Sequence, residues 1–330
     1  MIGKIFRLGL IVFFLGNSAV KADSYFYDMN IFSQSMYLRV YVNDAEVLKT
    51  NDLKSISSTF GLKKYLKNGV NEVVLDVAPF NMEKRNYNFH EDVKIEVFIS
   101  GYMSDGFSKS DLSEAFIVSS SFEKGLMKNE EYGVVSDKKV TYKDGNVEFL
   151  KFEDQGEIDI EYTSDSKSSG KRFRVEFLVK DDSLVSPPWL DAVPVDEYET
   201  ISGKVWAKYE DIWKLFDGND FDDYVEELSL VLDRVSYVTG YENRYQVAEK
   251  VFPNQSLISD GKNLVTLSDW KKFYPDSVVS LSPDKKLIRI YPNPIRFYDE
   301  SGNDNSAMSY YMCVMPDGEV KVCYQKDNGM

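Results

Sequence analysis

The chain has 330 residues, with 54 Asp and Glu against 39 Lys and Arg, and its formal net charge is −15. Such a negative charge repels phosphate backbones and anionic lipids, which argues against nucleic acid and membrane surfaces as partners. It favours either simple solubility or the attraction of a basic protein. One histidine and two cysteines are too few for His-rich zinc, copper or non-haem iron sites, so no metal and no cofactor are expected.

The first 22 residues have the three parts of a secretory signal peptide. Lys4 and Arg7 give a positive start, and residues 8–15 form an apolar run too short to span a bilayer. Val20 and Ala22 are small residues at the −3 and −1 positions that signal peptidase requires. We expect cleavage after Ala22 and export to the periplasm, with an uncleaved anchor as the alternative. The cleaved segment contains three cations and no acid, so the charge would change from −15 to −18.

Residues 23–180 are predicted to form an antiparallel, all-β sandwich domain. Apolar and polar residues alternate along several segments, as in strands with one face in a core, and turn residues separate these segments. No helical period intervenes, which favours a sandwich. The apolar positions are Leu38, Val40, Val42, Val73, Leu75, Val77, Val93, Ile95, Val97, Ile99, Ile158, Ile160, Tyr162, Phe173, Val175, Phe177 and Val179.

Part of this domain resembles the galactose-binding-like family of β-sandwiches. Residues 42–44 (VND) and 66–73 (LKNGVNEV) are similar to a V-N-G hairpin followed by an L-x-x-G-x-N-x-[LV] stretch in those jelly rolls. Asp44 stands where the family often has glycine. We expect Gly69 to adopt a positive φ and the Asn71 amide to bind loop backbone groups. The resemblance implies a jelly-roll-like fold; many such domains bind sugars, and many only support a neighbouring domain.

Residues 181–198 are predicted to be a linker, because they are rich in Asp, Ser and Pro and have no periodicity. Residues 199–330 are predicted to form an α+β domain with two or three helices followed by a small antiparallel sheet. Apolar stripes indicate one helix over 205–216 and a second over 221–238. Asn219 or Asp220 is expected to cap the second helix and Gly240 to end it, and a third helix is expected over 242–252.

The two cysteines flank a predicted β-hairpin at the C-terminal end of the sequence. Cys313 and Cys323 bracket two alternating runs that are separated by the turn at 316–318. Cysteines on the same side of a hairpin can pair in an oxidising compartment, although a diagonal offset would separate them. We expect a structural disulfide rather than a metal site, since two thiols without a nearby histidine supply half of a zinc site.

No motif in the chain predicts catalysis. His90 lies in a polar loop and is interpreted as a loop residue rather than a catalytic base, and residues 106–110 lack the second glycine of a nucleophile elbow. The acidic run 217–223 does not fit the EF-hand pattern. The oxygen-rich residues 299–305 are interpreted as a solvated turn, with a calcium loop as the alternative.

Three hypotheses of function follow. The first is an exported binding protein that recognises another protein, similar in layout alone to immunity proteins against antibacterial effectors such as lipases. Its predicted contact residues are Asp222, Asp223, Glu226 and Glu227. The second is an envelope protein that binds glycans through the sandwich. The third is a carboxylate-based hydrolase, which would need acids in opposed environments within one pocket.

Overall fold

A computed structural model describes residues 25–50, 54–80, 93–103, 113–121, 146–163, 166–251, 263–298 and 304–326. The predicted signal peptide, His90, residues 106–110 and most of the 299–305 loop lie outside the described residues. Within them the chain has an N-terminal part of antiparallel sheets and a C-terminal part of helices and a small antiparallel sheet, in the predicted order.

The N-terminal part contains two antiparallel sheets. The four-stranded sheet has the order β4-β1-β6-β7 and the five-stranded sheet has the order β3-β2-β5-β9-β8. The strands of the first are β1 (Tyr25–Gln34), β4 (Ile56–Gly61), β6 (Lys94–Met103) and β7 (Ser113–Ser121). Those of the second are β2 (Met36–Val42), β3 (Ala45–Lys49), β5 (Gly69–Pro79), β8 (Val147–Thr163) and β9 (Ser166–Val179).

The two sheets share one apolar core. The alternating residues of β2, β5, β6 and β9 are buried in a single cluster, which confirms the predicted faces of these strands. Met29 and Ile31 of β1 join them from the first sheet. Because alternate residues point to opposite faces, the polar positions of β2, β5 and β9 lie together on the outer face of the second sheet.

The predicted roles of Gly69 and Asn71 are confirmed. Gly69 has a φ of 101°, which a side chain would strain. The Asn71 side chain donates to the Lys67 and Gly69 carbonyls, both at 2.9 Å, and accepts from the Lys67 N–H at 2.9 Å. The family resemblance that suggested these roles stays a prediction.

Within the described residues, four α-helices begin the C-terminal part and a fifth follows the strand at Asn263–Leu264. They are α1 (Ser202–Gly218), α2 (Phe221–Glu227), α3 (Ser229–Thr239), α4 (Arg244–Val251) and α5 (Leu267–Phe273). The single helix predicted over 221–238 is therefore wrong, because the backbone leaves helical geometry at Leu228, with φ −98° and ψ 16°. The Asp220 carboxylate caps α2 at the Asp223 N–H, and Gly240 ends α3 with a φ of 76°, both as predicted.

The C-terminal sheet has the order β10-β13-β14-β12-β11, and β15 pairs with residues 309–314 of β14, beyond the part of β14 that pairs with β13. Its strands are β10 (Asn263–Leu264), β11 (Val278–Leu281), β12 (Ile288–Tyr291), β13 (Ile295–Tyr298), β14 (Asp304–Val314) and β15 (Val320–Lys326). The predicted hairpin is β14–β15, and its two cysteines form the predicted disulfide, with a Cα–Cα distance of 5.8 Å.

Residues 181–198 pack along both parts of the chain. Trp189 is buried in the sandwich core, and its indole N–H donates to the Asn43 carbonyl at 2.6 Å. Val193 forms an isolated bridge with Val314 of β14. Tyr311, Cys313 and Tyr324 of the C-terminal sheet belong to the same apolar cluster as the sandwich. The segment thus contributes Leu184, Trp189 and Ala192 to the joined core, and the domain boundaries drawn from the sequence stay predictions.

Candidate functional site

Three of the four predicted contact residues lie exposed on one surface of the helical region. Asp222, Asp223 and Glu226 belong to α2, and their side chains face solvent. Glu227 points instead towards α1, where Lys208 binds its carboxylate at 2.8 Å. The helical period explains this division, since Glu227 follows Glu226 by about 100° around the helix axis.

Aromatic residues accompany these acids. Tyr241 and Tyr245 are 40% and 43% exposed, and the Tyr245 ring on α4 lies 6.4 Å from that of Phe221 at the start of α2. Arg244 binds Glu226 at 3.5 Å and Asp233 of α3 at 3.0 Å, which connects the three helices. We call Asp222, Asp223, Glu226, Asp233, Tyr241 and Tyr245 the acidic surface. Exposed tyrosines beside charged groups are typical of protein-binding sites.

A second set of charges lies where the outer face of the five-stranded sheet meets the C-terminal part. Asn43 and Asp44 form the two-residue turn between β2 and β3, with φ values of 46° and 75°. The Asp44 carboxylate accepts from Ser282 Oγ at 2.6 Å, from the Asp284 N–H at 2.8 Å and from the Lys286 N–H at 3.2 Å. A carboxylate from the sandwich therefore holds the turn that connects β11 and β12.

Three carboxyl groups surround Arg174 beside this turn. Arg174 Nη1 binds Glu72 at 2.5 Å, and its Nη2 binds Asp284 at 2.5 Å. Burial and repulsion from Asp284 raise the pKa of Glu72 to about 7. Burial also opposes ionisation of Asp284, but its contacts with Arg174 lower the pKa of that group. Burial raises the pKa of Asp44 as well.

These opposed environments are what a carboxylate hydrolase requires, but the groups already have structural partners. Arg174 contacts Glu72 and Asp284 directly, and Asp44 is occupied by the 282–286 turn. The arrangement joins the two parts of the chain through charge-assisted hydrogen bonds. Among the described residues, no group of three or more His, Cys, Asp or Glu side chains is arranged to hold a metal ion.

A third group of charges is centred on Glu46 of β3. This carboxylate is 1% exposed and accepts from Lys326 Nζ at 2.6 Å and from Arg289 Nη2 at 3.2 Å. Burial alone would raise its pKa, but Arg289 and Lys326 lower it to about 2. Glu46 is therefore ionised at neutral pH, and its cations come from β12 and β15.

Arg234 of α3 makes a further polar contact between the two parts. Its guanidinium, which is 6% exposed, donates to the carbonyls of Lys63, Lys64 and Leu66 at 2.9, 2.8 and 3.0 Å, and also to the Val185 carbonyl. Four backbone acceptors from two separate segments are thus satisfied by one side chain.

The sequence did not reveal the charged residues that join the two parts of the chain. Their partners are far apart in the chain, 238 residues for Asp44 and Ser282 and 243 for Glu46 and Arg289. One signal was present in the alternation, which places Glu72 and Arg174 on the polar faces of their strands. A second was Asp44 itself, an acid at a turn position that favours glycine.

Comparison of the chain with protein-family models, curated proteins and solved structures finds no match. Within the described residues, no helix is long and apolar enough to cross a membrane.

Proposed function

We propose that this chain is an exported binding protein that recognises a basic protein through the acidic surface. The observation that carries the proposal is the combination of two exposed tyrosines with exposed acids from α2 and α3. Tyrosines supply large contact areas at low entropic cost, and the acids steer a basic partner towards them. The specific form that we propose is an immunity protein that neutralises an antibacterial effector such as a lipase.

The charge of the whole chain supports this proposal. The net charge of −15 attracts a basic partner from a distance, and the acidic surface then determines where it docks. The disulfide between Cys313 and Cys323 is compatible with the oxidising periplasm in which such a partner would be met.

The experiment is a co-purification with three forms of the tagged mature chain, exposed to extracts of competitor cells. These are the wild type, an Asp222→Lys/Asp223→Lys/Glu226→Lys variant, and a control with Glu157→Lys, Asp159→Lys and Asp191→Lys. The control residues are also exposed acids, so both variants change the net charge equally. We expect one basic, stoichiometric partner with the wild type and the control, and its loss with the first variant.

Equal retention of the partner by both variants would refute the acidic surface as the binding site. The immunity form has its own test. Cells that produce the chain should survive exposure to the effector, whereas cells that produce the Asp222→Lys/Asp223→Lys/Glu226→Lys variant should not. Normal sensitivity in cells that overproduce the wild type would refute neutralisation.

A second candidate function, glycan binding, is favoured by one feature of the sandwich. Phe26 of β1 is 44% exposed and stacks on Tyr102 of β6, with ring centroids 5.7 Å apart and planes inclined by 19°. The Tyr102 hydroxyl donates to Asp28 at 2.8 Å. An aromatic platform beside a carboxylate suits a sugar ring.

A glycan array tests this candidate. The mature chain should bind, and the Phe26→Ala variant should not. The Leu150→Ala variant, which removes an exposed apolar residue of β8, is the control and should bind normally. Absence of binding by the wild type would remove this candidate.

A further inference from the structure

The Glu46 group contains more positive than negative charge. Glu46 interacts electrostatically with Arg289, Lys326 and Arg39, and Lys49 interacts with the same three cations. Arg39 and Lys49 are also direct neighbours across β2 and β3. Four cations therefore surround one carboxylate, in a chain whose overall charge is strongly negative.

Among the described residues, the acid next to this group in the sheet does not balance the excess. It is Asp76, which lies opposite Arg39 across β2 and β5. Its carboxylate is held by Arg172 in a two-bond contact, with distances of 2.6 and 2.8 Å. Asp76 is thus held by a cation outside the group, and Arg289, Lys326 and Lys49 exceed the single charge of Glu46 by about two.

Two buried donors of the group have no acceptor among the described residues. They are the Nε of Arg289 and the hydroxyl of Tyr311, and both residues are 4% exposed. The Arg289 guanidinium lies 5.0 Å from the Tyr311 ring. A buried donor without an acceptor is destabilising, so an acceptor at this position would be stabilising.

The group also has access to solvent. Lys49 and Arg39 are half-buried, and the Lys326 side chain is 18% exposed. Lys49 Nζ lies 4.3 Å from the centre of the Tyr291 ring, and the Arg289 guanidinium lies 5.4 Å from the same centre. The half-buried Tyr291 ring thus lies beside the buried Arg289 and the more accessible Lys49, at the edge of the group.

We propose that this cluster binds a small oxyanion group, a carboxylate, phosphate or sulfate, through Lys49, Arg289, Lys326 and the Tyr311 hydroxyl. The site is separate from the acidic surface and does not depend on it. An oxyanion would supply the negative charge that the cluster lacks, and its oxygens would accept from the Arg289 Nε and the Tyr311 hydroxyl.

The protonation of Lys49 gives an independent readout. Burial, followed by repulsion from Arg39, lowers the pKa of Lys49 to about 8. A bound anion would oppose that repulsion and raise the pKa of Lys49 by about one unit or more. The titration is followed on the intact wild-type protein by NMR of isotopically methylated lysines, with and without sodium phosphate.

Binding is measured by calorimetry and thermal unfolding of the mature chain in sodium phosphate, sulfate or acetate, each against sodium chloride at equal ionic strength. Saturable stabilisation by phosphate and sulfate alone would indicate a tetrahedral oxyanion, and stabilisation by acetate a carboxylate. Lys49→Met and Lys326→Met should each weaken binding roughly tenfold, because each loses a charged hydrogen bond. Lys321→Met, on the same strand as Lys326 but paired with Glu319, is the control and should bind normally.

Two results would overturn the proposal. One is an unfolding temperature that changes with each of the three salts only as much as it changes with chloride. The other is a pKa of Lys49 that phosphate, sulfate and acetate leave unchanged. Because this pKa is measured on the wild-type protein, the result holds even if a variant does not fold.

Discussion

Asp44 and Ser282, which are 238 residues apart in the chain, are joined by a 2.6 Å hydrogen bond from the Ser282 hydroxyl to the Asp44 carboxylate. Both residues are buried, and Asp44 has a φ of 75° that glycine would adopt without strain. The Asp44 carboxylate binds the 282–286 turn. This contact between the two parts of the chain offsets the backbone strain that a side chain at this φ causes in the β2–β3 hairpin.

Asp44→Gly should therefore destabilise the protein although it relieves backbone strain. Strain relief is worth roughly 1–2 kcal/mol, whereas the Ser282 hydroxyl and the N–H groups of Asp284 and Lys286 lose their acceptor at about 1–3 kcal/mol each. We expect a net loss of at least about 1 kcal/mol in the free energy of unfolding, measured by urea denaturation. Asp44→Asn, which tolerates the same φ and keeps one acceptor, should lose less. A glycine variant as stable as the wild type would contradict the proposed role of the carboxylate.

Glu72 should make the folded state less stable as the pH rises from about 5 to about 7. Burial and Asp284 raise its pKa to about 7 from an ordinary value of 4.5, so in this range the folded state holds a proton that the unfolded state has released. Stability then falls by at most about 1.4 kcal/mol per pH unit. The lowered pKa of Asp284, which Arg174 causes against the effect of burial, acts below 3.8 and outside this range.

The test compares the wild type with Glu72→Gln, which is neutral at every pH and keeps an acceptor for Arg174. Urea midpoints measured between about pH 5 and about pH 8 should fall more steeply for the wild type than for the variant. Parallel curves would show that Glu72 does not titrate in this range.

Arg234→Met should cost about 3–5 kcal/mol of stability. The substitution removes the donor for four backbone carbonyls, those of Lys63, Lys64, Leu66 and Val185, in a buried position. Arg244→Met is the matched control, because in the part of the chain that the structure describes its guanidinium contacts the exposed Glu226 and Asp233, and it should contribute less than about 1 kcal/mol. Similar chemical denaturation curves for the two variants would be inconsistent with a structural role for Arg234.

Replacing both cysteines by alanine should lower the free energy of unfolding by about 3 kcal/mol, because the bond closes a short loop with a sequence separation of 10. Both sulfurs are buried, so a reductant should act on the wild type only when the hairpin opens. Chemical denaturation of the variant and of the oxidised wild type gives the difference. Rapid reduction of the native protein under non-denaturing conditions would show that the bond is accessible.

The local elements could be predicted because their signals lie within short stretches of sequence. Alternation identified the buried faces of β2, β5, β6 and β9, and glycine at 69 and 240 marked two positions of positive φ. Helix α5 was missed, although Thr266 caps it by accepting from the Asp269 N–H, and a Thr-x-x-Asp spacing is itself a local signal. The break at Leu228 has no such signal, since neither proline nor glycine occurs there.

The sequence by itself determined the order of a strand-rich part and a part with helices, the apolar faces of β2, β5, β6 and β9, and the pairing of the two cysteines, because period, turn chemistry and spacing act between near neighbours. Only the tertiary structure decided that Glu46 meets Arg289 and Lys326, and that Asp44 holds the turn at Ser282. In a chain with 54 acids and 39 Lys and Arg, many pairings of charges are possible. The apolar packing of the two parts selects among them, since it determines which strands lie side by side and therefore which charges are close enough to pair.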